Sequence, residues 1–387
     1  MQIVLFTHPG FQYSQSMPRY ARLLAEGMQA RGHQVDCWTA QPHFFRLPVP
    51  GFFKKWFGYL DQFVVFPFWV KQQIRKRDRD TLFVFTDQAL GPWVPLVANR
   101  KHVIHCHDFL AQQSALGLIP ENPVSRSGKI YQAYIRRGYR RGKNFISISE
   151  KTRQDLQNFL KEAPALSEIV YNGLNQAFEP ADPETVRKEL SQQLQLNLIQ
   201  GYILHVGGNQ FYKNRRGVLE IYEQWRKISR KVLPLILVGT EPTEYLQQLK
   251  KVSSFQEDIH FLNALDDQSL RKAYQGANVL LYPSLAEGFG WPIAEAMASG
   301  CPVITTCEAP MNEVGGHAAY YIEKRPSDIR QVQSWGETAS RQLERILQLK
   351  PWKRAVLIQK GLNNAERFNT PKSLDRIEAI YQQIIKS

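Results

Sequence analysis

The chain has 387 residues, 43% of them hydrophobic and 12% aromatic, which is more than one core ordinarily holds and enough for two. Its formal charge is +14, and residues 1–180 carry 23 Lys and Arg against 13 Asp and Glu, so the basicity lies mainly in the first half and favours an anionic partner: nucleic acid, a membrane face or an acidic substrate. No run reaches the roughly 18 apolar residues of a spanning helix, and Cys37, Cys106, Cys301 and Cys307 have no spacing that suggests a disulfide framework or a zinc site.

Ile3–Phe6 reads as a buried first strand, too short and too poor in flanking base for a signal peptide. A cytoplasmic location is expected. A helix follows over SMPRYARLLAEGMQARGH, with Gly32 as its stop. QVDCWTA, TLFVFT, HVIHCH and NFISIS continue the strands, and Ile169–Leu174 reads as the last one of this half. Gln176–Glu184 is polar and contains Pro, as a linker would be. The alternation then restarts: strand GYILHVGG, helix NRRGVLEIYEQWRKI, and strands LPLILVG and IHFLNAL. A helix with an acidic cap follows over DDQSLRKAYQGA, then strand NVLLYPS, a short loop and helix, and strand CPVITT. Apolar runs alternating with helical stretches imply parallel α/β layers. The expected fold is two Rossmann-like doubly wound domains facing across a cleft, 1–178 and 179–365, with a terminal helix over 366–387 that is able to pack back on the first.

The stretch Leu280–Thr306 carries the chemistry. Gly288 and Gly290 free the backbone between strand and helix, Pro292 suits the first helical position, and Gly300 with Pro302 ends the helix. Unpaired N–H groups and a positive dipole end gather at the carboxyl edge of a parallel sheet, a place for phosphate. Glu287 in the loop and Glu295, placed in the first helical turn, suit hydroxyl pairs on sugars at either end of a diphosphate. Taken singly, each acid is as well explained by solvation or by the helix dipole.

Glu287-Gly-Phe-Gly followed by Glu295-Ala-Met-Ala-Ser-Gly-Cys-Pro-Val resembles the E-x7-E motif of glycosyltransferase family four, retaining enzymes of the GT-B fold. HVGGNQFYKNRRG, VIHCHDF, SISEKTRQDL and VYNGL extend the resemblance along most of the chain. It implies that Glu295 holds the nucleotide ribose, Glu287 the donor sugar, and Gly288, Phe289 and Gly290 the distal phosphate and sugar. Lys213 would neutralise the leaving diphosphate, and the base would lie by Asn263–Leu265. His107, at a strand end facing the cleft, would contact the sugar, with Asp108 orienting its loop; a hydrogen-bonded strand cap is the plain alternative. His105 is expected to be buried in the sheet. Gly208, beside Asn209, stands where many members have an Arg, so Arg215 or Arg19 is the candidate substitute. The paired glycines usual before the first helix are replaced by Ser16-Met17.

The implied reaction transfers a hexose from a nucleoside-diphosphate sugar, UDP-glucose or a related UDP-hexose, to a glycan or lipid-linked acceptor in polysaccharide synthesis. No cofactor and no essential metal are expected; Asp78-Arg79-Asp80 matches a metal-binding DxD only in letters and reads as local charge balance. An NAD(P)-dependent oxidoreductase is the rival enzyme, but GFGWPI has Ile293 where a dinucleotide fingerprint has its third glycine. A basic nucleic-acid binder would leave both glutamates unexplained, so no nucleic-acid partner is expected. Gly51–Arg77 and Ser125–Lys143 mix aromatic and basic residues, as interfacial helices do, which points to peripheral attachment to an anionic inner membrane face; a core-packed helix with a solvated basic face explains them equally well.

Overall fold

The computed structural model describes residues 1–11, 16–174, 177–263 and 265–387. The chain forms two compact units, Met1–Asn175 with Thr370–Ser387, and Gln176–Asn369.

The first unit holds six parallel strands: β1 (Gln2–Phe6), β2 (Gln34–Trp38), β3 (Leu82–Phe85), β4 (His102–Cys106), β5 (Asn144–Ser147) and β6 (Leu166–Ile169), ordered β2-β1-β3-β4-β5-β6. Successive side chains leave opposite faces of a strand, and both faces are covered. Val4, Phe6, Phe83 and Phe85 enter one core, Ile3, Leu5, Leu82 and Val84 the other. That is why these strands are apolar throughout rather than alternating.

The second core closes with residues far away in sequence. Helix Thr370–Lys386 contributes Leu374, Ile377, Ile380, Tyr381 and Ile384 to it. His105 is fully buried on this face, one ring nitrogen bonded to Tyr20 Oη and the other to Tyr381 Oη, each at 2.7 Å. Burial lowers its pKa to about 3, so the ring is neutral.

Two sequence expectations shift here. The last strand of the unit is Leu166–Ile169, not Ile169–Leu174, because its partner β5 is four residues long and pairing ends at Ser147 with Ile169. The linker is also shorter than expected: Asp182 accepts a bond from Thr185 N at 3.0 Å and starts helix Pro183–Leu194. Residue 176, at its other end, lies outside the described residues, as do residues 12–15 before the first helix, beside Ser16-Met17.

The second unit holds β7 (Ile203–Val206), β8 (Leu235–Gly239), β9 (Ile259–Asn263), β10 (Val279–Tyr282), β11 (Val303–Thr306) and β12 (Tyr320–Ile322), all parallel, in the order β12-β11-β10-β7-β8-β9. The chain winds outward from β7 through β8 to β9, then returns to β10 on β7's other side. β7 and β10 are therefore neighbours at the switch point, where their carboxyl-end loops diverge and leave a crevice.

Candidate active site

The loops after β7 and β10 meet at that switch point. Three hydrogen bonds tie them together: Leu285 N to Tyr212 O at 2.7 Å, Ser284 Oγ to Tyr212 O at 2.7 Å, and Asn214 Nδ2 to Pro283 O at 2.8 Å. Asn214 has a left-handed backbone (φ 52°), which Asn tolerates better than most residues. Its Oδ1 also caps helix Arg215–Ile228 through Gly217 N at 3.1 Å.

This stitching brings Lys213 to Glu287. Lys213 Nζ donates to Glu287 Oε1 and Oε2 at 2.9 Å each, and to Tyr282 Oη at 2.8 Å. Tyr282 Oη donates to Glu287 Oε1 at 2.6 Å, and Ser284 Oγ lies 2.6 Å from the same oxygen. Burial, then the neighbouring carboxylate, hold the Tyr282 hydroxyl well above its usual pKa, so it stays a donor. Oε1 is thus crowded, whereas among the described residues Oε2 has only the ammonium and keeps a lone pair for another donor.

Glu295 lies one position further along the helix than expected. Gly290, with φ 99°, is the residue before helix Trp291–Ala298, so Pro292 is the second helical residue and Glu295 falls in the second turn. Its Oε2 accepts from the Tyr274 hydroxyl at 2.7 Å. Between the two acids, the Phe289 side chain is buried edge-on against Phe368 and Trp291, which anchors the glycine loop from below. Ile293, at the missing third glycine, is fully buried.

The next loop residues form a second cluster. Arg215 Nη1 donates to Asn209 Oδ1 at 2.6 Å and Thr240 O at 2.9 Å, while Nε and Nη2 are buried without a hydrogen-bond partner among the described residues. The guanidinium lies 5.0 Å over the Phe261 ring, and burial lowers its pKa to about 10, so it remains charged at neutral pH. Asn209 Nδ2 and Asn263 Nδ2 both donate to Glu241, to its backbone and its carboxylate respectively. Gly208 opens this loop, and a Cβ there would meet Gln210 Oε1 at 2.6 Å. Leu265 is half-buried after β9; residue 264, within the segment assigned to the base, lies outside the described residues.

His107 belongs to the first unit, directly after β4. Its ring Nε2 donates to Thr86 O at 2.8 Å and its backbone N–H to Gln88 Oε1 at 2.9 Å. Burial lowers its pKa, against the opposing pull of Asp87. The Thr86 carbonyl fixes the neutral tautomer with the proton on Nε2, which leaves Nδ1 as an acceptor. Asp108 Oδ1 accepts from Leu110 N at 3.0 Å and so starts the next helix. Arg19 lies in the same unit on helix Ser16–Ala30. Asp80 is 3.9 Å from Lys101, and among the described residues no cluster of three or more His, Cys, Asp or Glu is spaced to hold a metal ion.

Residues 17–178 match the family model described as Glycosyltransferase Family 4, and residues 200–332 the one described as Glycosyl transferases group 1. The chain belongs to the family-four type of glycosyltransferase. O-antigen chain mannosyltransferase B of Escherichia coli is 33% identical over 172 residues, 44% of this chain and 42% of that protein. O-antigen chain mannosyltransferase RfbU of Salmonella typhimurium is 26% identical over 213 residues, 55% of each. The chain spans about half the length of these curated relatives. Anabaena HepE in complex with UDP and glucose superposes with a TM-score of 0.70 at 17% identity, covering 99% of this chain and 100% of that one. The fold is GT-B.

Sequence reading singled out Lys213, Glu287 and Glu295 but not Tyr274, Tyr282, Ser284 and Asn214, which hold them or their loops in place. Asn214 did carry a signal, as an Asn directly before a helical pattern. The tyrosines carried none, because they sit inside runs that read as ordinary core.

Proposed function

We propose that the protein transfers a hexose from a nucleoside-diphosphate sugar to a glycan or lipid-linked acceptor in polysaccharide biosynthesis, with retention of anomeric configuration and without an essential metal. The Lys213–Glu287 pair at the β7/β10 switch point carries this reading. It puts a cation suited to diphosphate next to a carboxylate with one oxygen open to a sugar hydroxyl.

In this reading Glu295 grips the ribose, and the Gly288–Gly290 backbone with the helix N-terminus receives the distal phosphate. Lys213 stabilises the charge that develops on the departing diphosphate. Its three N–H groups serve Tyr282 and Glu287, so donor binding redirects at least one of them to phosphate oxygen. Arg215 replaces the missing second clamp by its field, since its unpaired donors are buried rather than presented. Asn209 holds Arg215 in place, and Asn263 and Leu265 flank the base. His107 is assigned to a sugar hydroxyl on the resemblance alone; its fixed tautomer makes it an acceptor there.

Retention through a covalent intermediate on Glu287 is a poor fit. A carboxylate bonded by Lys213 and Tyr282 is a weak nucleophile, whereas the same bonds make a rigid binder. The departing phosphate then takes the acceptor's proton on the same face, and the protein supplies positioning and charge stabilisation.

UDP-glucose is the first donor to test. The solved neighbour with UDP and glucose favours it, while the relatives named as mannosyltransferases favour a mannosyl donor. Thermal shift and donor hydrolysis should be measured over UDP-, GDP- and ADP-sugars, with and without EDTA. Selective stabilisation by one nucleoside diphosphate, unchanged by EDTA, is expected. Stabilisation by NAD and by none of the sugar nucleotides would overturn the assignment.

A further inference from the structure

Every large apolar side chain exposed in the first unit, among the described residues, belongs to one of two stretches, 44–69 and 116–134. The first includes helices Gly51–Leu60 and Phe66–Ile74, joined without a break by a π-helical turn, Asp61–Val65. Pro67 lacks the N–H that would bond back to Phe63, so the wider turn relieves its clash. Asp61 points inward, fully buried, and accepts Phe44 N and Phe45 N at 2.9 Å each.

The outward side of this rod is apolar. Phe53, Trp56, Leu60, Val64 and Phe68 recur at helical spacing and are all exposed, Trp56 by 59% and Phe68 by 68%. The second stretch includes helix Arg126–Tyr139, held inward by Ile135, Gly138 and Tyr139. A Cβ on Gly138 would lie 2.0 Å from Gly91 O, so this face cannot turn away from its support. Ile130, 72% exposed, and Tyr134 therefore stand outward. Stacking of Tyr59 on Tyr131 at 5.6 Å and of Phe63 edge-on to Tyr134 at 5.5 Å joins the two elements into one surface.

The charges around this surface are predominantly positive. Residues 44–77 contain seven Lys and Arg and one acid, the buried Asp61; residues 116–143 contain seven and one acid, the exposed Glu121. Lys55, Lys71, Arg75, Lys129, Arg137 and Arg141 are exposed.

We propose that this aromatic and basic surface of the first unit docks on an anionic lipid bilayer. A nucleic acid would use the bases but not Val64, Phe68 or Ile130. A second copy of the same face would bring like charges together. A bilayer with anionic headgroups uses both, cations at the phosphates and apolar side chains below them. The inference extends the proposed function by placing the acceptor on a lipid, and it does not depend on which donor is used.

The test is flotation of the full-length protein with phosphatidylcholine vesicles and with vesicles also containing phosphatidylglycerol, at low and high salt. Wild type should float only with phosphatidylglycerol, and salt should weaken it. Each cation near the surface changes partitioning by about fivefold, so Lys129→Glu/Arg137→Glu, which removes two, should bind at least about 25-fold more weakly. Trp56→Ser/Phe68→Ser should also bind more weakly and keep its salt dependence. Circular dichroism of both variants, and their thermal shift with whichever nucleoside diphosphate of UDP, GDP and ADP stabilises wild type, should match wild type, because these side chains are exposed and outside the nucleotide site; loss of lipid binding with nucleotide binding intact then separates this proposal from the catalytic one. Equal binding to both vesicle types, or variants that float like wild type, would overturn it. So would a dimer in sedimentation velocity that Trp56→Ser/Phe68→Ser dissociates.

Discussion

Removing the Lys213 ammonium should leave the Glu287 carboxylate buried with one hydroxyl donor, Tyr282, and no cation. The two side chains are 17% and 7% exposed. Breaking a buried ion pair by deleting one partner costs about 3–5 kcal/mol. Lys213 is partly open to water, which screens the stranded charge, so Lys213→Met should fall at the lower end, about 3 kcal/mol. Glu287→Gln keeps the shape but weakens charge-assisted bonds, at about 1–2 kcal/mol. The double variant holds neither charge and should cost less than the sum, by a coupling of about 1–2 kcal/mol. At about 2–4 °C per kcal/mol for a domain of this size, Lys213→Met should melt about 6–12 °C below wild type. Calorimetry of all four proteins under one set of conditions reads the cycle. Additivity within about 0.5 kcal/mol would mean that the pair shares no energy, and would refute the account of the switch point.

Tyr274→Phe deletes the donor to Glu295 and should raise the donor KM by five- to thirtyfold, equivalent to about 1–2 kcal/mol, with kcat changed far less; an unchanged KM would separate Glu295 from donor binding. His105 and His205 are both pushed down to about 3 by burial, from an ordinary 6.5. The unfolded chain then binds more protons than the folded one between those values, so stability is lost as pH falls below 6.5, by up to about 1.4 kcal/mol per pH unit for each ring. Urea denaturation from neutral pH downward should show this slope, and His205→Gln should make it shallower; equal slopes would contradict it. Truncation after Asn369 removes five buried side chains from the second core of the first unit, at roughly 1.5–3 kcal/mol each. Limited proteolysis should then degrade the first unit and spare the second, and resistance equal to wild type would argue against that packing.

The strands in the first half of the chain were legible because a parallel sheet covered on both faces needs continuous apolar runs, and those runs stand out in any register. Strand ends were less legible: the β6 pairing stops where β5 stops, a property of the neighbour. The three-residue edge strand β12 escaped notice, because so short a run carries too little pattern.

At the site, the sequence by itself determined the glycine loop, its two acids eight positions apart, and the lysine before a helix. These are local signals, set by which residues tolerate a strand-to-helix turn and which can accept or neutralise charge. Only the tertiary structure decided that Lys213 grips Glu287, 74 positions away, that Tyr274 serves Glu295, and that the last helix seals the first unit's core. Each of those contacts depends on strand order, since β10 lies beside β7 only because the chain returns past β8 and β9. Nothing in the spacing of residues along a chain encodes which of two sheet edges it returns to.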